Sequence, residues 1–260
     1  MINNKNKKGS EKTLSQERAK IYYLHHSGFA VKIRGNLLVF DYYSHEPEGR
    51  LSGLDKGTIS HKDLEEAETV YVFVSHSHHD HYNPVIFEWE RINSNIQYFL
   101  SFDVETPSKD TKYCSMQPYE EYKDDSIFVK AYGSTDIGVS FKVEIGGFKI
   151  FHAGDLNCWY WYYESTPQEL EEDENKFLVE LEMMKDEDVD IAFFPVDPRL
   201  EEYYYMGGEY FIKKLKPRLF IPMHFWDDYS ITRTFAQRLA HQPTKIVELS
   251  HRGQEIIFKK

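Results

Sequence analysis

The chain has 260 residues, 41% hydrophobic and 16% aromatic, which is ample for one large core. Its net charge of −12 at pH 7, with no basic run beyond the first residues, argues against gripping a nucleic-acid backbone, a task that draws on Lys and Arg. No apolar stretch approaches the roughly 20 residues needed to span a bilayer. Only Cys114 and Cys158 occur, which argues against a disulfide framework and suits a reducing, cytoplasmic setting.

Residues 1–20 are polar and lysine-rich without an apolar centre, so they read as a flexible tail, and residues 21–260 as a single domain. Thr69–Val74 is an apolar run expected to form a strand. Asn83-Pro84 then opens a helix through Ile92, with proline in the first turn where it is tolerated. Strands follow over 96–104, 126–131, 138–144 and 148–152, the last two joined by a tight Gly146-Gly147 turn. The acidic segment 164–188 places Phe177, Leu178, Leu181 and Met184 at near-helical spacing and reads as an amphipathic helix. After it come a strand over 189–196, a helix over 209–215, a strand over 218–223, a helix over 232–241 and strands over 245–249 and 255–258. This order fits two mixed β-sheets flanked by helices, an α+β class.

The chemistry concentrates at His76-Ser77-His78-His79-Asp80-His81, directly after the first of these strands. Strand alternation sends His76 and His78 off on one side, and a turn can bring Asp80 and His81 to the same point. Imidazoles suit zinc, iron, copper and nickel, and an adjacent carboxylate can hold a second ion or orient water. The bland alternative is a solvent-exposed His-rich turn with no ligand role.

The order His-x-His-x-Asp-His after a strand resembles the signature of the metallo-β-lactamase superfamily, which implies a four-layer αβ/βα sandwich. Two later motifs agree: Phe148–Asp155, ending in Gly154-Asp155, resembles the bridging-Asp motif, and Leu219–His224 resembles the last-His motif. The resemblance implies His76, His78, Asp80, His81, Asp155 and His224 as metal ligands. It also implies a further His after the strand at 127–132, where this chain has Gly133-Ser134-Thr135-Asp136. Asp136 either replaces that ligand or only shapes the turn. The segments 21–31 and 36–41 resemble the opening hairpin of the subgroup containing ascorbate-6-phosphate lactonase and the phospholipase D that cleaves N-acyl phosphatidylethanolamines. There His26-Ser27 matches a Gly-His-Ser/Ala turn, while Asp41-Tyr42 stands where Asp-Pro is usual.

His26 is then either a hydrogen-bonded structural histidine or a group at the pocket edge that donates to an oxyanion. Residues 159–163 are five consecutive aromatics, and Trp159 among them is either a pocket wall or part of a hydrophobic plug. Asp197 with Arg199 forms either a structural pair or an anion clamp, and Phe225–Asp228 shape the opposite rim. Cys158 reads as a buried inert thiol.

The expected function is a metal-dependent hydrolase. A metal-bound hydroxide, held and oriented by the catalytic Asp80, would attack an ester, lactone, amide or phosphodiester of a small molecule. The expected cofactor is Zn2+, one or two per chain, with Mn2+ or Fe2+ as alternatives. The partners expected are the small-molecule substrate and a second copy in a homo-oligomer. A non-catalytic or regulatory metal-binding protein is the reading from another class, motivated by the absent His.

Overall fold

The computed structural model describes residues 17–47 and 51–260. Strand β1 (Arg18–His25) already starts inside the segment assigned to the tail, because Arg18, Ala19 and Lys20 pair with the C-terminal strand. The rest of that tail lies outside the described residues. Strands β2 (Gly28–Ile33), β3 (Asn36–Phe40), β4 (Thr69–Val74), β5 (Ile96–Ser101) and β6 (Tyr113–Met116) continue the first sheet. The second holds β7 (Glu121–Lys123), β8 (Ile127–Tyr132), β9 (Ser140–Ile145), β10 (Phe148–His152), β11 (Ile191–Pro195), β12 (Leu219–Met223) and β13 (Lys245–Ile246), and β14 (Glu255–Lys259) returns to the first. The order is β14-β1-β2-β3-β4-β5-β6 in one sheet and β13-β12-β11-β10-β9-β8-β7 in the other. Each sheet is antiparallel through three pairings and then parallel through three.

Period-two patterning explains the layers. In β3 and β4, Leu38, Phe40, Tyr71 and Phe73 join the core between the sheets, while Leu37, Val39, Val70 and Val72 pack outward with Leu64, Ile86 and Trp89. Phe29 stacks on Phe193 at 4.2 Å between ring centroids and Phe73 meets Phe141 at 5.6 Å, so aromatic rings join the two sheets. The outer face of the second sheet is covered by α2 (Pro167–Met183), α3 (Met206–Leu215) and α4 (Ser230–Arg238), through Phe177, Phe211 and Phe235. The result is the four-layer αβ/βα sandwich, helices outside and two sheets within.

Several boundaries move. The segment Pro84–Arg91 is a 3-10 helix, and its buried Ile86 and Trp89 stand three apart, the period of that helix. In α2 the buried residues are Leu170, Phe177 and Leu181, and Leu178 faces outward. The helix begins at a capping box of Thr166 and Glu169, later than residue 164. The strand expected over 96–104 ends at Ser101 and that over 245–249 at Ile246. Helix α1 (His61–Glu65), β6 and β7 are short elements the sequence pattern did not mark. No helix among the described residues is long and apolar enough to cross a membrane.

Candidate metal centre

Parallel strands β3, β4, β10, β11 and β12 end at the same edge of the sandwich, so the residues after them meet there. The exit of β4 is tied to that of β3: Ser75 donates its N–H to Asp41 Oδ1 at 2.8 Å and its hydroxyl to Asp41 Oδ2 at 2.7 Å. Ser77 N–H donates to Asp103 Oδ2 at 2.8 Å. The second sheet presses on this loop. Gly138 and Gly154 have φ of +91° and +54°, and a Cβ there would lie 2.2 Å from the Ser75 carbonyl and 2.6 Å from Ser75 Cβ, respectively. His26, Asp41 and His224 also adopt positive φ, of 52°, 43° and 65°, a strained conformation for side-chain-bearing residues that clusters here.

All six expected ligands come together, in two groups whose candidate ligand atoms lie within 4.8 Å of one another: His76, His78, Asp136 and Asp155, and His26, Asp80, His81 and His224. Asp155 sits between them. Its Oδ1 is 3.0 Å from His81 Nε2 and 3.3 Å from His224 Nε2, and its Oδ2 is 3.6 Å from His76 Nε2. Asp136 stands where the missing histidine was expected, its Oδ2 3.8 Å from His78 Nδ1. The groups differ in access, since the His78 and Asp136 side chains are about half exposed (49% and 47%) whereas His26, His81 and His224 are buried.

Burial alone would raise the Asp155 carboxyl, but the His81 and His224 imidazoles outweigh it and hold it well below the usual carboxylate range. Burial likewise opposes charge on His224, yet Asp155 and Asp197 bring it up to about 9. His76, with burial dominant, falls to about 4.

An outer layer orients these rings. His81 Nδ1 is 2.7 Å from Asp41 Oδ2, and His224 Nδ1 is 2.9 Å from Asp197 Oδ2, the arrangement that fixes metal-facing imidazoles. Arg199 grips Asp197 from Nε, at 3.0 Å to both oxygens, and from Nη2 at 2.5 Å. His152 donates from Nε2 to the Ser27 carbonyl at 2.8 Å and accepts the Gly154 N–H at 3.1 Å, so it links the His26-Ser27 turn to the Gly154-Asp155 turn.

Donor chemistry and burial fit a metal. Nε2 of His26, His76, His81 and His224 and Oδ1 of Asp155 are buried without a hydrogen-bond partner. Orphaned polar atoms are costly in a protein interior unless something else satisfies them, and imidazole with carboxylate is a ligand set for divalent transition metals.

A cleft of about 570 Å³ opens onto His78, Asp80, Asp136 and Asp155. Trp159, Trp161, Lys176 and Arg199 also line it. The aromatic run alternates through successive tight turns, each N–H bonding the carbonyl two residues back over 158–162. Trp159 and Trp161 therefore stack on each other at 6.0 Å beside the cleft, while Tyr160 and Tyr162 pack on Tyr203. His26 and Asp197, also read as pocket residues, are fully buried behind the wall. Trp226 stacks on His26 at 4.1 Å. Cys158 is buried, its thiol pushed up to about 12, as expected of an inert thiol. Asp41, Ser75, Asp103 and His152 were not singled out as contributors. The one signal available for Asp41 was its place at the end of the second hairpin strand.

The family model for the beta-lactamase superfamily domain matches residues 20–161, more than half of the chain. Among solved structures, Igni18, a metallo hydrolase from the archaeon Ignicoccus hospitalis, is 16% identical with a TM-score of 0.63, covering 93% of this chain and 98% of its own. YhfI from Bacillus subtilis, a metallo-beta-lactamase fold protein, is 10% identical with a TM-score of 0.57, covering 94% of this chain and 100% of its own. CmlA from Streptomyces venezuelae, a diiron beta-hydroxylase, is 14% identical with a TM-score of 0.59; the match covers 94% of this chain but 54% of that one. No curated protein matches the chain. With two mixed seven-stranded sheets, the histidine-aspartate cluster at their shared edge and a matching family model, the chain belongs to the metallo-β-lactamase superfamily.

Proposed function

We propose that this protein is a hydrolase with two divalent ions, acting on an ester, lactone, amide or phosphodiester of a small molecule. The observation that carries this reading is the convergence of orphaned atoms: four imidazole Nε2 atoms and Asp155 Oδ1, buried and unpartnered at the floor of an open cleft. His76, His78, Asp136 and Asp155 would hold one ion, and Asp80, His81, His224 and Asp155 the other. Bound there, such ions lower the pKa of water from about 15.7 toward 7 and polarise the attacked oxygen.

The chain's own groups do the rest. Asp80 is half-buried at the cleft, where its carboxylate can orient a nucleophile, and Asp41 and Asp197 keep the His81 and His224 rings in place. Trp159 and Trp161 exclude water from one wall. Arg199 and Lys176 bring two cationic side chains to the cleft, Arg199 held by Asp197 and Lys176 by Asp173, so they offset part of the acidic charge of its lining. The His26-Ser27 turn in the opening hairpin supports placement near the lactonase and phospholipase D subgroup.

Zn2+ is the proposed metal. Two imidazoles with two carboxylates at the first position also suit Mn2+ or Fe2+, so elemental analysis of purified protein comes first. Two ions per chain with turnover of chromogenic esters, lactones or phosphodiesters supports the reading. A protein that binds ions but turns over none of the panel supports the non-catalytic alternative, and one that takes up no ion refutes both.

A further inference from the structure

A neutral imidazole carries one N–H and one lone pair, so the partner of one nitrogen fixes the state of the other. His81 Nδ1 and His224 Nδ1 each face a carboxylate oxygen, at 2.7 and 2.9 Å, and carboxylates only accept. Both therefore donate from Nδ1, and with an ion in place of the Nε2 proton both turn an Nε2 lone pair inward. His76 behaves alike: its Nδ1 is 2.9 Å from Ser75 Oγ, whose hydrogen is already given to Asp41, so Ser75 accepts.

His26 is reversed. Its Nδ1 receives the backbone N–H of Trp226 at 3.3 Å, and a backbone amide nitrogen cannot accept. The ring proton must then sit on Nε2, the atom aimed at the cluster, 3.5 Å from Asp80 Oδ2. An accepting Nδ1 holds a lone pair, so the ring carries a single proton and only that one needs placing. The ring is also clamped, with His224 and Trp226 ring centroids each 4.1 Å away, and its own backbone N–H donates to Tyr23 Oη at 2.8 Å. A flip would leave the Trp226 N–H facing a ring carbon.

We propose that His26, although it lies among the second group of candidate ligands, is not a metal ligand but a positioning residue that presents an N–H from Nε2 to Asp80. This rests on the metal-centre reading above. Asp80 thereby gains the outer partner that His81 has in Asp41 and His224 in Asp197, and the second position keeps room for a non-protein ligand, as a catalytic site needs.

Long-range proton–nitrogen NMR correlation on 15N-labelled, zinc-loaded protein reads the tautomers directly. His76, His81 and His224 are expected to carry the proton on Nδ1 and His26 on Nε2, with the His26 signals assigned by their loss in His26→Gln. A His26 proton on Nδ1 overturns the proposal. Zinc titration is the second readout. His26→Gln, which keeps a donor near the Nε2 position, should bind two zinc ions within about threefold of the parent affinities. His26→Leu, which removes it, should weaken one ion by about tenfold, the usual cost of losing an outer-shell partner. Loss of one ion in His26→Gln as complete as in His224→Gln makes His26 a ligand and refutes the assignment. A parent chain that takes up no zinc refutes the metal centre instead, and the His26 tautomer in the same spectrum still decides the donor assignment.

Discussion

Replacing Asp41 by Asn tests whether the outer carboxylates govern the metal centre. Asp41 is fully buried and accepts three hydrogen bonds, from Ser75 N–H at 2.8 Å, Ser75 Oγ at 2.7 Å and His81 Nδ1 at 2.7 Å. Its φ of 43° is one that Asn tolerates better than most side chains, so the backbone should hold. The amide can keep the Ser75 N–H on its oxygen, and the Ser75 hydroxyl can turn. His81 cannot adapt so cheaply. Facing an N–H, its Nδ1 must give up its proton, which moves to Nε2 and removes the lone pair aimed at the cluster. The expected cost is about 10- to 100-fold in affinity for one ion, or about 1.4–2.7 kcal/mol. Asp41→Ala would instead strand three donors in the core, with a stability loss of about 4 kcal/mol. Calorimetric zinc titration of Asp41→Asn, alongside its thermal midpoint, separates the two effects. Both ions binding with parental affinity in a folded Asp41→Asn protein would refute the argument.

Asp136→Ala should selectively weaken the half-exposed ion, because His76, His78 and Asp155 alone would remain there; unchanged stoichiometry and affinity in a metal titration would remove Asp136 from the site. Arg199→Met should weaken the ion at His224 by about tenfold, because it removes the guanidinium that holds Asp197 behind that ring; unchanged affinity for both ions in a zinc titration would contradict this. Glu187 lies close to Lys142, a nearly buried lysine on β9, and although burial opposes it, Lys142 and Tyr132 hold the Glu187 carboxyl below its usual value. A depressed carboxyl pKa stabilises the fold above the ordinary value of about 4.3 and loses that contribution as pH falls through the lower folded value. Glu187→Gln should therefore cost about 2 kcal/mol near neutrality, with the gap to the parent closing in acid; a gap constant down to pH 3 in thermal melts would contradict this.

The candidate ligand residues were legible because each follows a recognisable strand: His76–His81 after β4, Asp155 after β10 and His224 after β12. A short apolar run ending in a ligand residue carries both pieces of information locally. The outer layer was not legible, since Asp41 reaches His81 across 40 residues of sequence and Asp197 reaches His224 across 27, and nothing in a single sequence pairs them. Asp136 was recognised only as an ambiguous turn residue, and its placement near His78 depends on how the β8–β9 loop leans toward the first sheet past Gly138. The 3-10 character of Pro84–Arg91 was missed because apolar residues three apart suit an α-helix almost as well. Short pieces such as β6, β7 and α1 carry too few residues for a period to show.

The split origin of the centre makes it a clasp. His26, Asp41 and His76–His81 leave strands of the first sheet, whereas Asp136, Asp155, Asp197 and His224 leave strands of the second. An ion shared through Asp155 would therefore fasten one half of the sandwich to the other at an edge, and neither half could hold it alone. Any such ion binds the folded chain far better than the unfolded one, so each adds about 2.7 kcal/mol to stability when its free concentration is a hundredfold above Kd. Chelation would then loosen the seam between the sheets before it touched the aromatic core.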